Sequence, residues 1–195
     1  MTDLSIIIVS YNTQELTLAC IDSIFRSSSK VKSEVIVVDN ASTDESVKEI
    51  KKRFPKVKII ENSKNVGFAK ANNMGIKVSQ GAYVLLLISD TEVKKGSIDN
   101  LLNFAKEQKD AGAVLPRLLN TDSTVQGSVF KLPSLYRSLR QYWFGEKGLL
   151  DKYSPKKTQK VEGGVMAAFL ITPKGLAAGS LNEDYFLYFE DLDYC

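Results

Sequence analysis

Short apolar runs alternate with amphipathic stretches over the first 118 residues of the chain. Residues 4–9, 34–38 and 83–88 are apolar at almost every position, which is typical of strands that are buried on both faces. Shorter apolar runs at residues 57–60 and 113–118 predict two further strands. The segments between the runs carry apolar residues at helical spacing, which predicts a helix after each of the first four strands.

This alternation of strand and helix predicts the fold class. Repeated strand–helix units indicate an α/β protein whose sheet is mostly parallel and doubly wound (Rossmann-like), with helices on both faces. At 195 residues the chain is long enough to bury a sizeable core as one domain.

Three of the predicted strands end in a polar residue of little packing value: Ser10, Asp39 or Asp90. The carboxyl ends of parallel strands lie at one edge of the sheet, here called the rim, so these residues can converge on one ligand. Tyr11 and Asn12 directly follow the first strand. Asp90 alone is equally well explained as a turn cap. Two aspartates together with Tyr11 and Asn12 indicate a site.

The composition restricts the chemistry that this site can perform. The chain contains no histidine, which excludes His-based triads, His proton shuttles and His metal ligands within it. Any acid, base or metal chemistry must therefore use carboxylates and other oxygen ligands. The net charge of +3 gives no reason to expect a nucleic-acid partner. The two cysteines favour a reducing compartment, and the longest apolar runs are too short for a transmembrane span.

The rim lacks both of the common phosphate-binding loops. The first strand is not followed by Gly-x-Gly-x-x-Gly, and the sequence contains no Gly-Lys-Ser/Thr loop. A carboxylate repels a diphosphate unless a divalent cation lies between them, and Mg²⁺ or Mn²⁺ held by one or two carboxylates and phosphate oxygens is the usual arrangement. Such a cation stabilises a departing nucleoside diphosphate as a Lewis acid. Asp39 can alternatively accept hydrogen bonds from a base N–H or a ribose hydroxyl.

The pattern is less regular after residue 119. Apolar residues at positions 132, 135, 139 and 142 predict an amphipathic helix with Arg137 and Arg140 on its other faces, followed by Trp143 and Phe144. One interpretation is that this partly exposed aromatic helix receives an acceptor or touches a membrane surface. We favour the other interpretation, local packing with a solvated basic face. Residues 165–171 predict a strand, and residues 182–193 form an acidic and aromatic run.

Four blocks of the sequence resemble family-2 inverting glycosyltransferases with the GT-A fold, in the branch of rhamnosyltransferase-like and cell-surface polysaccharide enzymes. The blocks are SIIIVSYNTQELTLACIDSI, EVIVVDNASTDES, NVGFAKANNMGIKVSQGAYVLLLISDTEV, and EGGVMAAFLI followed by NEDYFLYFEDLDYC. They cover most of the chain in the family's order and approximate spacing. The resemblance implies that residues 1–118 form a half that binds a nucleotide sugar and that residues 119–195 form the acceptor-side half of the same domain.

The resemblance also implies roles for individual residues. Those expected to line the donor pocket are Ser10, Tyr11, Asn12, Asp39, Asn40, Ser42, Gly67, Asn72 and Asp90. Within that pocket, Asp39 would contact the base or ribose, and Asp90 would hold Mg²⁺ or Mn²⁺. Asp191 would be the general base that deprotonates an acceptor hydroxyl, with Glu190 orienting the acceptor or Asp191. Structural explanations stay open for Asn72, which can satisfy backbone groups, and for Asp191, which suits a helix start.

The implied reaction moves a hexose or deoxyhexose from a UDP- or dTDP-sugar to a hydroxyl of a glycan or lipid-linked acceptor. Its expected location is the cytoplasm or the inner face of the cell membrane, with peripheral membrane association as an option. The alternative is a shortened or degenerate module that binds a nucleotide sugar without turnover. Ile88 favours the module, because the family often has a carboxylate or amide there, whereas the Glu190-Asp191 pair favours the enzyme. Since relatives continue beyond the position of Cys195, we expect a C-terminally truncated chain.

Overall fold

The computed structural model describes residues 2–27, 30–146 and 151–195, and within these ranges the strands and helices alternate for most of the chain. The strands are β1 (Leu4–Ser10), β2 (Ser33–Asp39), β3 (Lys58–Glu61), β4 (Tyr83–Ile88), β5 (Ala113–Val114), β6 (Leu118–Leu119), β7 (Val125–Gln126), β8 (Val129–Phe130), β9 (Gly163–Gly164) and β10 (Ala168–Ile171). The helices are α1 (Gln14–Arg26), α2 (Ser46–Arg53), α3 (Phe68–Val78), α4 (Ser97–Glu107), α5 (Leu135–Tyr142), α6 (Pro173–Ala178) and α7 (Glu190–Tyr194).

A six-stranded sheet in the order β3-β2-β1-β4-β10-β5 forms the centre of the molecule. Strands β3, β2, β1 and β4 are all parallel, whereas β10 runs antiparallel to both of its neighbours. The prediction of a mostly parallel, doubly wound sheet is confirmed. Strand β10 belongs to the second half of the sequence but pairs with β4 of the first half, so the two halves share one sheet.

The core has two layers, one on each face of the sheet, because side chains alternate along a strand. Ile6 and Ile8 of β1 belong to the layer that is covered by α1, α2 and α4. Ile7, between them, belongs to the layer that is covered by α3, α6 and α7. All three isoleucines are fully buried, and each such side chain contributes about 1.5–3 kcal/mol of transfer free energy.

The structure shows where α2 begins and corrects one predicted strand. Helix α2 begins at Ser46 and is not capped by Ser42 or Thr43, because both of these residues hydrogen-bond Asn12 instead. The strand predicted at residues 113–118 is two short strands in different sheets, β5 and β6. Pro116 lies between them and cannot donate to a strand ladder.

Two helices have more exposed apolar surface than the sequence pattern predicts. Leu16 of α1 and Val78 of α3, which belong to the apolar residues at helical spacing, are about half exposed. The favoured interpretation of α5 as a locally packed helix is wrong, since none of the side chains of this fully described helix is buried. In the part of the chain that the structure describes, no helix has the length and apolar character needed to cross a membrane.

Candidate active site

The carboxyl ends of β2, β1 and β4 lie side by side at the rim. Ser10 pairs with Asp39 in the register of β1 with β2, and Val9 pairs with Ile88 in the register of β1 with β4. Asp90 follows Ile88 by two residues. The fold therefore places Ser10, Asp39 and Asp90 at the ends of three adjacent parallel strands, where open α/β sheets bind their ligands.

Asp39 is a buried carboxylate that is only half satisfied. Its side-chain atom Oδ2 accepts a hydrogen bond from the backbone N–H of Ser42 at 2.9 Å. The other oxygen, Oδ1, is buried without a hydrogen-bond partner among the described residues. Buried polar atoms are normally paired, so an unpaired carboxylate oxygen at the rim marks a position that suits an incoming N–H or O–H donor.

Ser10 is fully buried and faces helix α1. Its hydroxyl lies 3.3 Å from Thr13 Oγ1 and 3.0 Å from Thr17 Oγ1, and the Thr13 hydroxyl donates to Ser89 Oγ at 3.2 Å. This hydroxyl cluster joins the ends of β1 and β4 to the start of α1. The predicted role of Ser10 in the nucleotide pocket therefore rests on its position at the strand end, since its side chain is used for packing.

The loops after β1 and β2 hold each other in place. The backbone N–H of Asn12 donates to Ser42 Oγ at 2.9 Å, and the Thr43 N–H donates to Asn12 Oδ1 at 2.8 Å. Asn12 and Ala41 both have left-handed backbone angles, with φ of 52° and 65°. Strained residues of this kind persist where the surroundings fix them, often at ligand sites. Tyr11 directly precedes Asn12 in the loop after β1 and is about half exposed.

Asn40 connects the end of β2 to the start of α3. Its side-chain amide donates to the Gly67 carbonyl at 3.2 Å, and its Oδ1 accepts from Asn62 Nδ2 at 2.9 Å. Asn62 follows β3 and also donates its backbone N–H to the Asp39 carbonyl at 2.9 Å. Sequence reasoning missed Asn62, although the rule that pointed to Ser10 and Asp39 applies equally to the residue after β3.

Gly67 precedes α3 with a backbone that favours glycine, with φ of 87° and ψ of 173°. A Cβ at this position would lie 2.5 Å from the carbonyl oxygen of Phe186, which in turn accepts a hydrogen bond from the Phe68 N–H at 2.8 Å. Asn72 is buried, and its side chain donates to the Phe68 carbonyl one helical turn earlier, at 3.0 Å. Gly67 thus allows the acidic and aromatic run to touch α3, while Asn72 satisfies a backbone group.

The end of β4 carries an exposed carboxylate, Asp90. Within the described ranges, no group of three or more His, Cys, Asp or Glu side chains is arranged to hold a metal ion. Burial, followed by the charges of Asp90 and then Glu92, raises the pKa of the Cys20 thiol to about 12. Two carboxylates therefore create a negative potential at this strand end. This donor set fits a divalent cation only if substrate phosphates supply further oxygen ligands.

Two contacts fix the chain on either side of Glu190 and Asp191. Before them, the Phe186 carbonyl is bonded to α3; after them, the Tyr194 hydroxyl donates to the Gly175 carbonyl at 3.0 Å and its ring packs edge-on against Phe169. Helix α7 also contacts β9. Asp191 is partly buried on the first turn of this helix. The acidic and aromatic run, residues 182–193, therefore extends from the start of α3 to helix α7, which packs against Phe169 of the antiparallel strand β10.

Glu190 is buried, and its Oε2 has no hydrogen-bond partner in the described part of the chain. Burial raises the pKa of this carboxyl above its ordinary value of 4.5, and the charge of Asp191 adds to the shift. A raised carboxyl pKa means that the folded state favours the protonated form. Glu190 thus stabilises the fold fully below pH 4.5 and loses that contribution as the pH rises through its folded-state pKa.

We expect Glu190→Gln to stabilise the protein by about 1 kcal/mol at pH 8, because a neutral amide is easier to bury than a carboxylate. The melting temperatures of Glu190→Gln and of the unmodified protein should converge towards pH 4. Glu183→Gln is the control of opposite sign, because hydrogen bonds from Asn73 and Lys70 lower the pKa of Glu183, so its contribution exists above pH 4.5 and disappears in acid. Melting curves from pH 4 to pH 8 test both variants, and a Glu190→Gln protein less stable at pH 8 contradicts the assignment.

The mostly parallel sheet with helices on both faces, and with carboxylates following β2 and β4 at one rim, defines a doubly wound α/β fold. Residues 5–169 match the family described as "Glycosyl transferase family 2". The match covers most of the chain, and the protein belongs to this family.

Two characterised relatives cover most or all of this chain. An N-acetylglucosaminyl-diphospho-decaprenol L-rhamnosyltransferase of Mycobacterium tuberculosis is 27% identical over 180 residues, which are 82% of this chain and 58% of that protein. A low-salt glycan biosynthesis hexosyltransferase, Agl10 of Haloferax volcanii, is 29% identical over 203 residues, spanning the whole chain and 61% of the relative. The chain thus spans about three fifths of the length of these two relatives.

Solved structures share the fold. S. aureus TarS 1-349 superimposes with a TM-score of 0.67 at 19% identity, covering 99% of this chain and 54% of that one. The same fragment in complex with UDP-GlcNAc matches with a TM-score of 0.57 at 26% identity, over 67% of this chain and 38% of that one. The mannosyltransferase PcManGT of Pyrobaculum calidifontis, in complex with GDP-Man and Mn²⁺, gives 0.62 at 20% identity, over 98% and 50%. The fold class is therefore that of GT-A glycosyltransferases.

Proposed function

We propose that this chain carries the donor-binding and catalytic centre of an inverting glycosyltransferase, which moves a hexose or deoxyhexose from a nucleoside-diphosphate sugar to a glycan or lipid-linked acceptor. The observation that carries the proposal is the unpaired buried oxygen of Asp39 at the rim. The family membership and the nucleotide-sugar complexes of TarS and PcManGT support a nucleotide-sugar donor. UDP and dTDP are the proposed nucleotides.

In this proposal, each carboxylate has one task. Asp39 Oδ1 accepts a hydrogen bond from the base or ribose, while Ser42 holds Oδ2 in place. Asp90 is the protein ligand for a Mg²⁺ or Mn²⁺ ion, which when bound would offset the negative charge that develops on the leaving diphosphate. The hydrogen-bonded crossing of the Asn12 and Ser42 loops gives the pocket a rigid wall.

Asp191 is the proposed general base. Its carboxylate takes the proton from the acceptor hydroxyl as that oxygen attacks the anomeric carbon from the face opposite the diphosphate. The new C–O bond forms while the bond to the diphosphate oxygen breaks, so the configuration inverts without a covalent enzyme intermediate. Glu190, which is buried and favours its protonated form, is proposed to orient Asp191 or the acceptor.

Nucleotide binding tests the Asp39 role by thermal shift. UDP or dTDP with Mn²⁺ at a hundred times its Kd should stabilise the protein by about 2.7 kcal/mol, which is about 5–10 °C in melting temperature. Asp39→Asn should weaken binding by about ten- to a hundredfold. The substitution removes the negative charge and replaces one of the two acceptor oxygens with an NH₂ donor. Asp22→Asn, at an exposed carboxylate paired with Arg26, is the control and should bind like the unmodified protein. Equal affinity of the two variants would remove Asp39 from the site.

A second candidate function is a donor-binding module without turnover. The exposed Asp90 and the apolar Ile88 beside it favour this candidate, because they leave one carboxylate where two oxygen ligands are common. Donor hydrolysis and transfer, measured with and without Mn²⁺, separate the two functions. Metal-dependent nucleotide binding without product formation identifies the module, and product formation identifies the enzyme.

Location of the protein at the inner face of the cell membrane stays a prediction.

A further inference from the structure

Helix α5 presents an apolar face to solvent, here called the α5 face and defined by Leu135, Tyr136, Leu139, Tyr142 and Trp143. At 100° per residue these five positions fall within about a third of the helix circumference. Their exposed fractions range from 42% to 80%, and Phe144, which follows, is also exposed. A contiguous exposed patch of large apolar side chains is uncommon on a monomer and marks an interaction surface.

The polar side of α5 fixes the helix to the rest of the protein. Arg137 forms two hydrogen bonds with Glu162, at 2.5 and 2.7 Å, and a third with the Leu132 carbonyl at 2.7 Å. Arg140 pairs with Glu146 and lies over the ring of Tyr136. Among these contacts, the Arg137–Glu162 pair is the one that ties α5 to a distant part of the chain, and it lies on the polar side of the helix. The apolar face is therefore left on the side of the helix away from this pair.

The segment around α5 has a higher net positive charge than the chain as a whole. Residues 131–162 contain eight Lys or Arg and three Asp or Glu, a net charge of +5, whereas the whole chain has +3. Because the two arginines of α5 are paired with glutamates, the excess is carried by lysines. The exposed lysines that the structure describes here are Lys131, Lys152, Lys156, Lys157 and Lys160.

These lysines are connected to the same part of the fold as α5. Lys131 directly follows β8, and Tyr153 exchanges backbone hydrogen bonds with Val129 of β8 at 2.8 and 3.0 Å. Arg117 donates to the carbonyls of Pro155 and Lys156 at 2.7 and 2.9 Å, which fixes that loop. The segment that carries Lys152, Lys156 and Lys157 is thus bonded to β8, and α5 is bonded to Glu162, which directly precedes β9, the partner strand of β8.

We propose that the α5 face docks on the surface of a lipid bilayer that contains anionic headgroups. Tyrosine and tryptophan favour the boundary between headgroups and acyl chains, and leucines add apolar contact below it. Flanking lysines are attracted to a negative surface. The charge excess selects this occupant over an apolar protein surface, which would not require it. The docking is independent of the proposed transfer reaction; if both hold, the rim works beside a membrane that carries a lipid-linked acceptor.

Trp143 is the sole tryptophan in the sequence, so its fluorescence reports on the α5 face directly. With vesicles of phosphatidylcholine and phosphatidylglycerol, we expect a blue shift of the emission, protection from iodide quenching, and cosedimentation that weakens as salt is added. Vesicles of phosphatidylcholine alone should bind at least about tenfold less tightly. No donor or acceptor is present, so the result does not depend on catalytic activity.

The double variant Leu135→Ser/Leu139→Ser should bind anionic vesicles at least about tenfold more weakly. The matched control is Leu16→Ser/Val78→Ser, which removes two comparably exposed apolar side chains from α1 and α3 and should bind normally. Circular dichroism verifies folding, and Trp143→Ser, read by cosedimentation, replaces the double variant if that protein is misfolded. Absence of vesicle binding, or unchanged binding by the α5 variants, overturns the proposal. A blue shift without vesicles that rises with protein concentration also overturns it, and assigns the face to a second copy of the chain.

Discussion

We expect Asp191→Asn to lower kcat for the proposed sugar transfer by about 10²–10⁴-fold while leaving donor affinity unchanged. The amide keeps the size of the side chain but cannot accept the proton of the acceptor hydroxyl. The measurement is initial-rate kinetics with the donor identified by thermal shift, combined with direct titration of the nucleotide. A selective loss of kcat is expected of a general base, because its contribution arises in the transition state.

Asp193→Asn is the matched control for Asp191→Asn. Asp193 lies on the same short helix, two residues later, and its side chain is exposed. We expect this variant to retain turnover, since the substitution removes the same charge from α7 without touching the proposed base. If both variants lose activity to a similar degree, the net charge of α7 matters rather than Asp191. Full activity of Asp191→Asn would exclude its role as base.

Gly67→Ala should destabilise the protein by about 2–5 kcal/mol, the sum of backbone strain and a forced displacement. The new Cβ would lie 2.5 Å from the carbonyl oxygen and 3.0 Å from the Cα of Phe186. Phe186 must therefore shift, which weakens its hydrogen bond with Phe68 and moves the chain that leads to Glu190 and Asp191. We expect turnover to fall together with stability, as measured by urea denaturation and by kinetics.

Gly96→Ala provides the comparison for Gly67→Ala. Gly96 also precedes a helix with positive φ, 76°, but a Cβ there would have nothing within 4 Å. This variant should lose only the left-handed backbone cost, about 1–2 kcal/mol, and retain its turnover. The excess loss in Gly67→Ala then measures the contact with Phe186 together with the more extended backbone of Gly67. Equal losses in the two variants would show that this contact contributes little.

The first half of the fold follows closely from the hydrophobic pattern. Strand β4 lies at the predicted residues 83–88, because it is a continuous apolar run bounded by polar residues, and α1 follows β1 as predicted. The rim follows as well, since parallel strands place their carboxyl ends together. The pattern does not show that one oxygen of Asp39 is hydrogen-bonded and the other is unpaired. That difference depends on the Ser42 N–H, which directly follows the left-handed residue Ala41.

The second half follows less closely, because its strands are short and its contacts are distant in sequence. Strand β10 has four residues, and its partners were not identifiable from the sequence. The exposure of α5 was also missed, because an amphipathic pattern identifies an apolar face without specifying what covers it. Asn73 Oδ1 accepts a hydrogen bond from the Leu181 N–H at 3.0 Å. The two residues are more than a hundred positions apart, so no local pattern indicates this contact.

Strand β10 links the order of synthesis to the order of folding. Leu85 of β4 pairs with Leu170 of β10, and β5 completes the sheet only through β10. During translation, β4 is therefore an open apolar edge until residue 171 has emerged, and pairing over such a sequence separation is slow. A fragment that ends at residue 118 would keep this edge permanently. We therefore expect that fragment to aggregate rather than fold, even though it contains both Asp39 and Asp90.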